Sequence, residues 1–245
     1  FAYFLGIFEP KSAMAPFAST IIYLFMGGFT LAALLNKHGI DLWLAKRVIK
    51  MAKGKLWLSI IGFFGVTSFL SMWMSNTATT AMMIPIAIAL IDKQYPRMRT
   101  MLILGTAYAA NIGGNGTAVG SPPNGIAVAA LDIDFFTWFK VGFPTLILMF
   151  PLVILSLWIM INPEKDAKLN QLDEAHMDWT PQAKGSIALF IFTVICWILS
   201  SKIGSLLGVK EFSRMIAILI TALAPAFGLI SWKELESKIG WGILL

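Results

Sequence analysis

Apolar residues gather in six stretches, at about 19–36, 56–91, 101–131, 136–161, 186–207 and 212–230. Several approach the roughly 20 residues a helix needs to cross a bilayer. Between the first two lies a basic segment, 37–55, with Lys37, Lys46, Arg47, Lys50, Lys53 and Lys55 against Asp41. Lys93, Arg97 and Arg99 follow the second. Basic flanks of this kind mark the cytoplasmic side, so the run 56–91 leaves from and returns to the same face. As one helix it would be about 54 Å long, against a hydrocarbon core of about 30 Å. It must turn back. The polar cluster Ser75-Asn76-Thr77-Ala78-Thr79-Thr80 is the natural place. A long first arm (56–74) and a short second arm (77–91) predict a re-entrant hairpin that ends inside the membrane. Irregular backbone at that depth survives only when buried in protein or lining a wet cavity.

A second polar break, "NIGGNGTAVGSPPNG" from Asn111 to Gly125, interrupts the stretch 101–131. Its glycines and prolines oppose a continuous helix, and the flanks 101–110 and 126–131 are too short to span alone. The pattern predicts one crossing broken near its middle, the kind of discontinuous helix that builds transporter sites. Pro144 and Pro151 predict kinks in the transmembrane helix 136–161. The chain divides into scaffold helices with a cytoplasmic amphipathic segment (1–55) and a unit holding the hairpin and the broken helix (56–135). The helix 136–161, a polar cytoplasmic linker (162–184) and a last segment (185–245) follow.

That last segment opens a second copy of the first. "GIFEPKSAMAPFASTIIYLF" from Gly6 aligns without gaps on "GLISWKELESKIGWGILL" from Gly228, pairing Gly6 with Gly228, Ile7 with Leu229, Lys11 with Lys233 and Ile21 with Ile243. Five crossings separate the copies, which places them on opposite faces as an inverted-topology repeat. Both ends of the chain fall within apolar segments, so it reads as a fragment of a longer protein. A second polar cluster is expected at about position 297, beyond Leu245.

Composition agrees with this pattern. The 245 residues are 58% hydrophobic and 13% charged, with a mean hydropathy of +0.77, where soluble domains carry about a quarter charged residues. The chain is an all-α integral membrane protein. Its net charge of +6 comes from residues that set topology, which excludes nucleic acid as a partner. The single Cys196 excludes an intrachain disulfide. His38 and His176 sit in polar loops, and no catalytic or nucleotide-binding pattern occurs, so the reading is not an enzyme.

From Leu56 to Ile91 and from Thr100 to Leu131 there is no Asp, Glu, His, Lys or Arg. This part of the chain therefore offers no proton relay and no fixed cation for an anionic ligand. Isolated hydroxyls such as Thr67 and Ser68 serve to join helices. The cluster at 75–80 differs, because it adjoins the N-terminus of the second arm, which favours an anion. Carbonyls ending the first arm favour a cation, and Gly113, Gly114 and the stretch from Gly116 to Asn124 can add more. Neutral oxygen ligands of this kind suit Na⁺.

"SMWMSNTATTAMMIPIA", followed by "GTAYAANIGGNGTAVGSPPNGI" and preceded by "PFASTIIYLFMGGFTLA", closely resembles the divalent anion:sodium symporter family of dicarboxylate and citrate transporters. The likeness is closest to about residue 160. It implies a homodimer of inverted repeats in a cell membrane, in which a transport domain moves like an elevator against a scaffold. It further implies sodium symport of a small dicarboxylate, of the C4 type such as succinate, or of citrate. Sodium-independent exchange within the same family, or a channel-like or non-transporting membrane subunit, stands as the alternative. By the same resemblance Ser75, Asn76 and Thr77 contact the substrate carboxylate, and Ser71, Ser75, Asn76 and Gly120 frame a sodium site. The loop carries Gly-Ser-Pro-Pro-Asn where the family more often has threonine in second place, which keeps the hydroxyl.

Overall fold

The computed structural model describes residues 19–170 and 177–244. Most of the first repeat copy, including Gly6, Ile7 and Lys11, lies outside them, as does His176. The described residues are helical or loop, apart from one antiparallel bridge between Ile91 and Leu169.

Helix α1 (Ile21–Lys37) and helix α2 (Ile40–Met51) meet at an angle of 65°. Gly39 makes the corner in the left-handed conformation, φ 65°, where a side chain would be strained. Helix α2 buries Ile40, Ala45 and Ile49 and turns its lysines outward. The hairpin follows as α3 (Leu56–Ser71) and α4 (Asn76–Leu90). Their 16 and 15 residues give about 24 and 22 Å, so neither arm spans the hydrocarbon core.

These arms correct the expected long-then-short hairpin. The chain turns at Met72–Ser75, and Asn76 to Thr80 already lie in α4. The reason is local: Ser75 is extended, and its Oγ accepts the Ala78 amide at 3.2 Å. An N-cap serine of this kind starts a helix where composition alone suggests a loop.

Both arms lie against α5 (Pro96–Gly114), which breaks at 115–121 and resumes as α6 (Pro122–Ala130). The break is shorter than the expected 111–125. Asn111 to Gly114 stay helical because the glycines serve close packing. A Cβ on Gly113 would fall 2.3 Å from the Ser68 carbonyl oxygen. Pro122 occupies the first turn of α6, where its missing N–H costs nothing.

Helix α7 (Phe135–Ile161) runs unbroken for 27 residues through Pro144 and Pro151, with Asp134 accepting the Thr137 amide at its start. After the linker come α8 (Pro181–Ile198), α9 (Ser200–Leu207), α10 (Phe212–Ala226), α11 (Trp232–Lys238) and α12 (Trp241–Leu244). The apolar stretch 186–207 is therefore two helices that part at Leu199. Among the described residues, α7 and α8 are long and apolar enough to cross a membrane singly, and α1 with α2 qualifies as a bent pair.

Two cores hold these helices. One packs α1, α8, α10 and the start of α7 around Trp73, Phe135 and Trp197. The other packs α2, α3, α4 and α5 around Phe63, Phe64 and Met83. Small residues allow α1 and α10 to approach closely, as membrane helices do. A Cβ on Gly27 would lie 2.6 Å from the Ala217 Cβ, and the Thr30 and Thr221 hydroxyls meet at 3.1 Å. Lys37, at the end of α1, pairs with Glu234 of α11 at 2.7 Å. The histidine the sequence placed in a loop, His38, has Nε2 3.1 Å from the Leu229 carbonyl.

Candidate functional site

The hairpin tip and the broken helix bring two chain breaks together. At the end of α3 the carbonyls of Ser68, Phe69 and Leu70 accept from the amides of Met72, Trp73 and Met74. The Ser71 carbonyl instead faces Gly120. A Cβ on Gly120 would come within 2.8 Å of that oxygen and 2.4 Å of the Gly114 carbonyl oxygen. Only glycine admits this approach.

Three side chains hold the loop 115–121 in place. The Thr117 hydroxyl donates to the Met72 carbonyl and accepts the Gly120 amide at 3.2 Å. Asn124, 4% exposed, donates from Nδ2 to the Gly114 and Thr117 carbonyls, each at 2.8 Å. It thus ties the last turn of α5 to the middle of the loop. The Trp138 indole donates to the Asn115 carbonyl at 3.1 Å.

Asn76 sits where these parts converge. Its amide lies 2.9 Å from Ser71 Oγ and 3.3 Å from the carbonyl oxygens of Ala110 and Gly120, with the Asn111 amide at 3.2 Å on its other side. With Nδ2 turned toward them, the amide donates to all three oxygens. With Oδ1 turned toward them, Ser71 Oγ donates to it at 2.9 Å and the Ala110 and Gly120 carbonyl oxygens face it, a set of neutral oxygens that suits a cation. The first sense satisfies the amide's hydrogen bonds, and the second is the one a bound cation would select. Gly114 makes room for it, since a Cβ there would lie 2.2 Å from Asn76 Oδ1.

The structure therefore brings Ser71, Asn76 and Gly120 into one cluster. Ser75 stands beside it as the cap of α4, and Thr77 is exposed one residue further on. The first amides of α4 have no intrahelical acceptors, so this end of the site favours negative charge. Sequence reasoning left Asn111 out of the site and offered Thr117 and Asn124 only for their carbonyls, not for their side chains. Their signal was present as polar side chains in an apolar stretch, but only the fold shows that Asn111 meets the Asn76 amide and which carbonyls Thr117 and Asn124 reach. Among the described residues no group of three or more His, Cys, Asp or Glu gathers to hold a metal. The site's ligands are neutral oxygens and amides.

Comparison with known proteins extends these observations. The citrate transporter family matches residues 1–245. The chain is 37% identical over 254 aligned residues to an uncharacterised transporter of Haemophilus influenzae, covering 98% of this chain and 55% of that protein. It is 38% identical over 247 residues to an uncharacterised transporter of Methanocaldococcus jannaschii, covering 100% and 56%. It is similar also to the sodium-dependent dicarboxylate transporter SdcS of Staphylococcus saprophyticus, 33% identical over 174 residues, 64% of this chain and 33% of the relative. The chain spans about half the length of the two uncharacterised transporters.

Proposed function

The chain belongs to the citrate transporter family, and on that premise we propose that it is part of a sodium-coupled symporter for small dicarboxylates. The transporter would sit as a multi-pass homodimer in the cell membrane, with the basic segments on the cytoplasmic face. The substrate is of the C4 type such as succinate, or citrate. One observation carries the reading. The Asn76 amide meets Ser71 Oγ and the Gly120 carbonyl where a helix C-terminal end adjoins a helix N-terminal end.

Each end has a task. Ser71, Ser75, Asn76 and Gly120 supply the neutral oxygens of a sodium site. The separations of the Asn76 amide from Ser71 Oγ and the Gly120 oxygen, 2.9 and 3.3 Å, are close to the roughly 3.3 Å octahedral edge of oxygens coordinated at about 2.3 Å, the lower limit for Ca²⁺, an ion of nearly sodium's radius. The exposed side of the cluster faces the substrate, where Ser75, Asn76 and Thr77 and the first amides of α4 receive a carboxylate. No lysine or arginine lies in 56–91 or 100–131, so bound sodium supplies the neutralising charge.

The second, inverted repeat would add a matching tip and loop for the other carboxylate. Elevator-like movement is what the family resemblance implies. Helices α3 to α6 would travel as one body against the scaffold of α1, α7, α8 and α10, carrying the site across the membrane. The resemblance of the first 160 residues to sodium symporters, and the similarity to SdcS, support the sodium assignment.

The test is uptake of labelled succinate by the full-length protein in liposomes. The expected result is saturable accumulation that needs an inward sodium gradient. Equal uptake in potassium, dependent on internal dicarboxylate, would make it an exchanger. Flux without saturation or counterflow would make it a channel.

A further inference from the structure

Between the start of α3 and the second half of α7 lies an open groove of about 730 Å³, lined by Trp57, Ile61, Phe150, Ile154 and Trp158. It is apolar along its length. Its one charged lining residue is Lys165, just past α7. We propose that this groove binds an anionic phospholipid, one acyl chain lying along α7 and the headgroup phosphate meeting Lys165.

Three observations select that occupant. The first is charge. Glu164, next to the lysine, is taken up elsewhere, with its carboxylate accepting the amides of Arg97 and Met98 at 3.2 and 2.7 Å. Lys165 makes no ion pair with any described residue. The second is the pair of indoles. Trp57 lies in the first turn of α3 and Trp158 three residues before the end of α7, both lining the groove with the lysine, and neither indole N–H donates to a described residue. Tryptophan with a free N–H beside a basic residue is the usual lining of the headgroup level. The third is the helix itself. Within Phe135–Ile161, α7 buries only Phe135, Gly142, Leu146 and Leu157, so the groove opens from its exposed face.

The hairpin tip is remote from this groove. Fourteen residues of α3 separate Trp57 from Ser71, about 21 Å of helix. A lipid bound here would brace the base of the hairpin against α7 without touching the transported ions. The inference rests on the membrane placement proposed above, and on neither sodium nor substrate, so its readout is binding.

The full-length protein in neutral detergent is titrated with dioleoyl phosphatidylglycerol, dioleoyl phosphatidylcholine and free glycerol phosphate, with bound lipid counted by native mass spectrometry. The expected result is phosphatidylglycerol retained about fivefold more tightly than phosphatidylcholine, the worth of one basic residue at a membrane surface. Glycerol phosphate should not bind, since the acyl chain carries the contact. Lys165→Gln, an exposed change, should bring the two lipids to parity, and Ile61→Trp should expel both by filling the groove. Equal retention of the two lipids by the wild type, or an unchanged ratio in Lys165→Gln, overturns the proposal. So does a wild type that retains neither lipid, with Ile154→Cys shielded from a membrane-soluble maleimide, which would show the groove covered by protein.

Discussion

The Asn76 side-chain amide and the Gly120 carbonyl oxygen stand 3.3 Å apart, although one belongs to the hairpin tip and the other to the loop of the broken helix. That contact closes the site. A group reaching the end of α3, the start of α4 and the break after α5 can respond to a cation on one side and an anion on the other.

Asn76→Ala in the full-length protein should weaken sodium and succinate binding together. Removing one partner from a half-buried polar cluster costs on the order of 1–3 kcal/mol, about 5–150-fold in affinity. Calorimetric titration of each ligand checks this. A folded variant with both affinities intact would reduce Asn76 to a helix-joining residue.

Gly120→Val should weaken sodium binding at least as much as succinate binding. The added Cβ would meet the Gly114 and Ser71 carbonyl oxygens at 2.4 and 2.8 Å, so the loop must shift and carry the Gly120 carbonyl with it. The ratio of the two affinity losses is the readout. A loss confined to succinate contradicts the assignment of Gly120 to sodium.

Asn124→Ala tests the loop from behind. It strips a donor from the Gly114 and Thr117 carbonyls, and unsatisfied buried carbonyls cost about 1–3 kcal/mol each. The melting temperature should fall and sodium affinity should fall with it, whereas Asn76→Ala should change affinity with little change in melting temperature. An unaltered melting temperature in Asn124→Ala would show that the loop holds without this clamp.

Glu234 gives a pH dependence. The hydrogen bond from the Lys37 ammonium, with those from Ser231, holds its carboxyl at about 2, below the usual 4.5. A depressed carboxyl contributes stability that is present above about pH 4.5 and lost as pH falls through about 2. Glu234→Gln should therefore melt slightly below the wild type at pH 7, and the two should converge as pH approaches 2. A constant gap across that range contradicts the pairing.

How much of this was legible in the sequence follows from the kind of signal each feature leaves. The hairpin and the broken crossing were readable because length, basic flanks and missing charges constrain where a membrane segment can turn. Ser75, Asn76 and Thr77 stood out as a polar cluster, Ser71 and Gly120 were named through resemblance, and the fold brings Ser71, Asn76 and Gly120 into contact. The exact turns were not readable. Ser75 caps a helix that begins inside the polar cluster, and Gly113 and Gly114 pack against Ser68 and Asn76 within a helix that composition would end earlier. Both depend on which backbone lies opposite, a matter of tertiary contact that no local pattern records. Asn124 is the clearest case: its sequence neighbours are a proline and a glycine, while its partners are carbonyls seven and ten residues back.

The central claim is that sodium supplies the charge that lets a dianion bind among neutral groups. A buried uncompensated anion costs several kcal/mol or more, so sodium and substrate should strengthen each other's binding reciprocally. Equilibrium binding of labelled succinate to the intact wild type across a sodium titration measures this directly. The account predicts an affinity that rises steeply with sodium and saturates. A flat curve would contradict it and leave sodium-independent exchange.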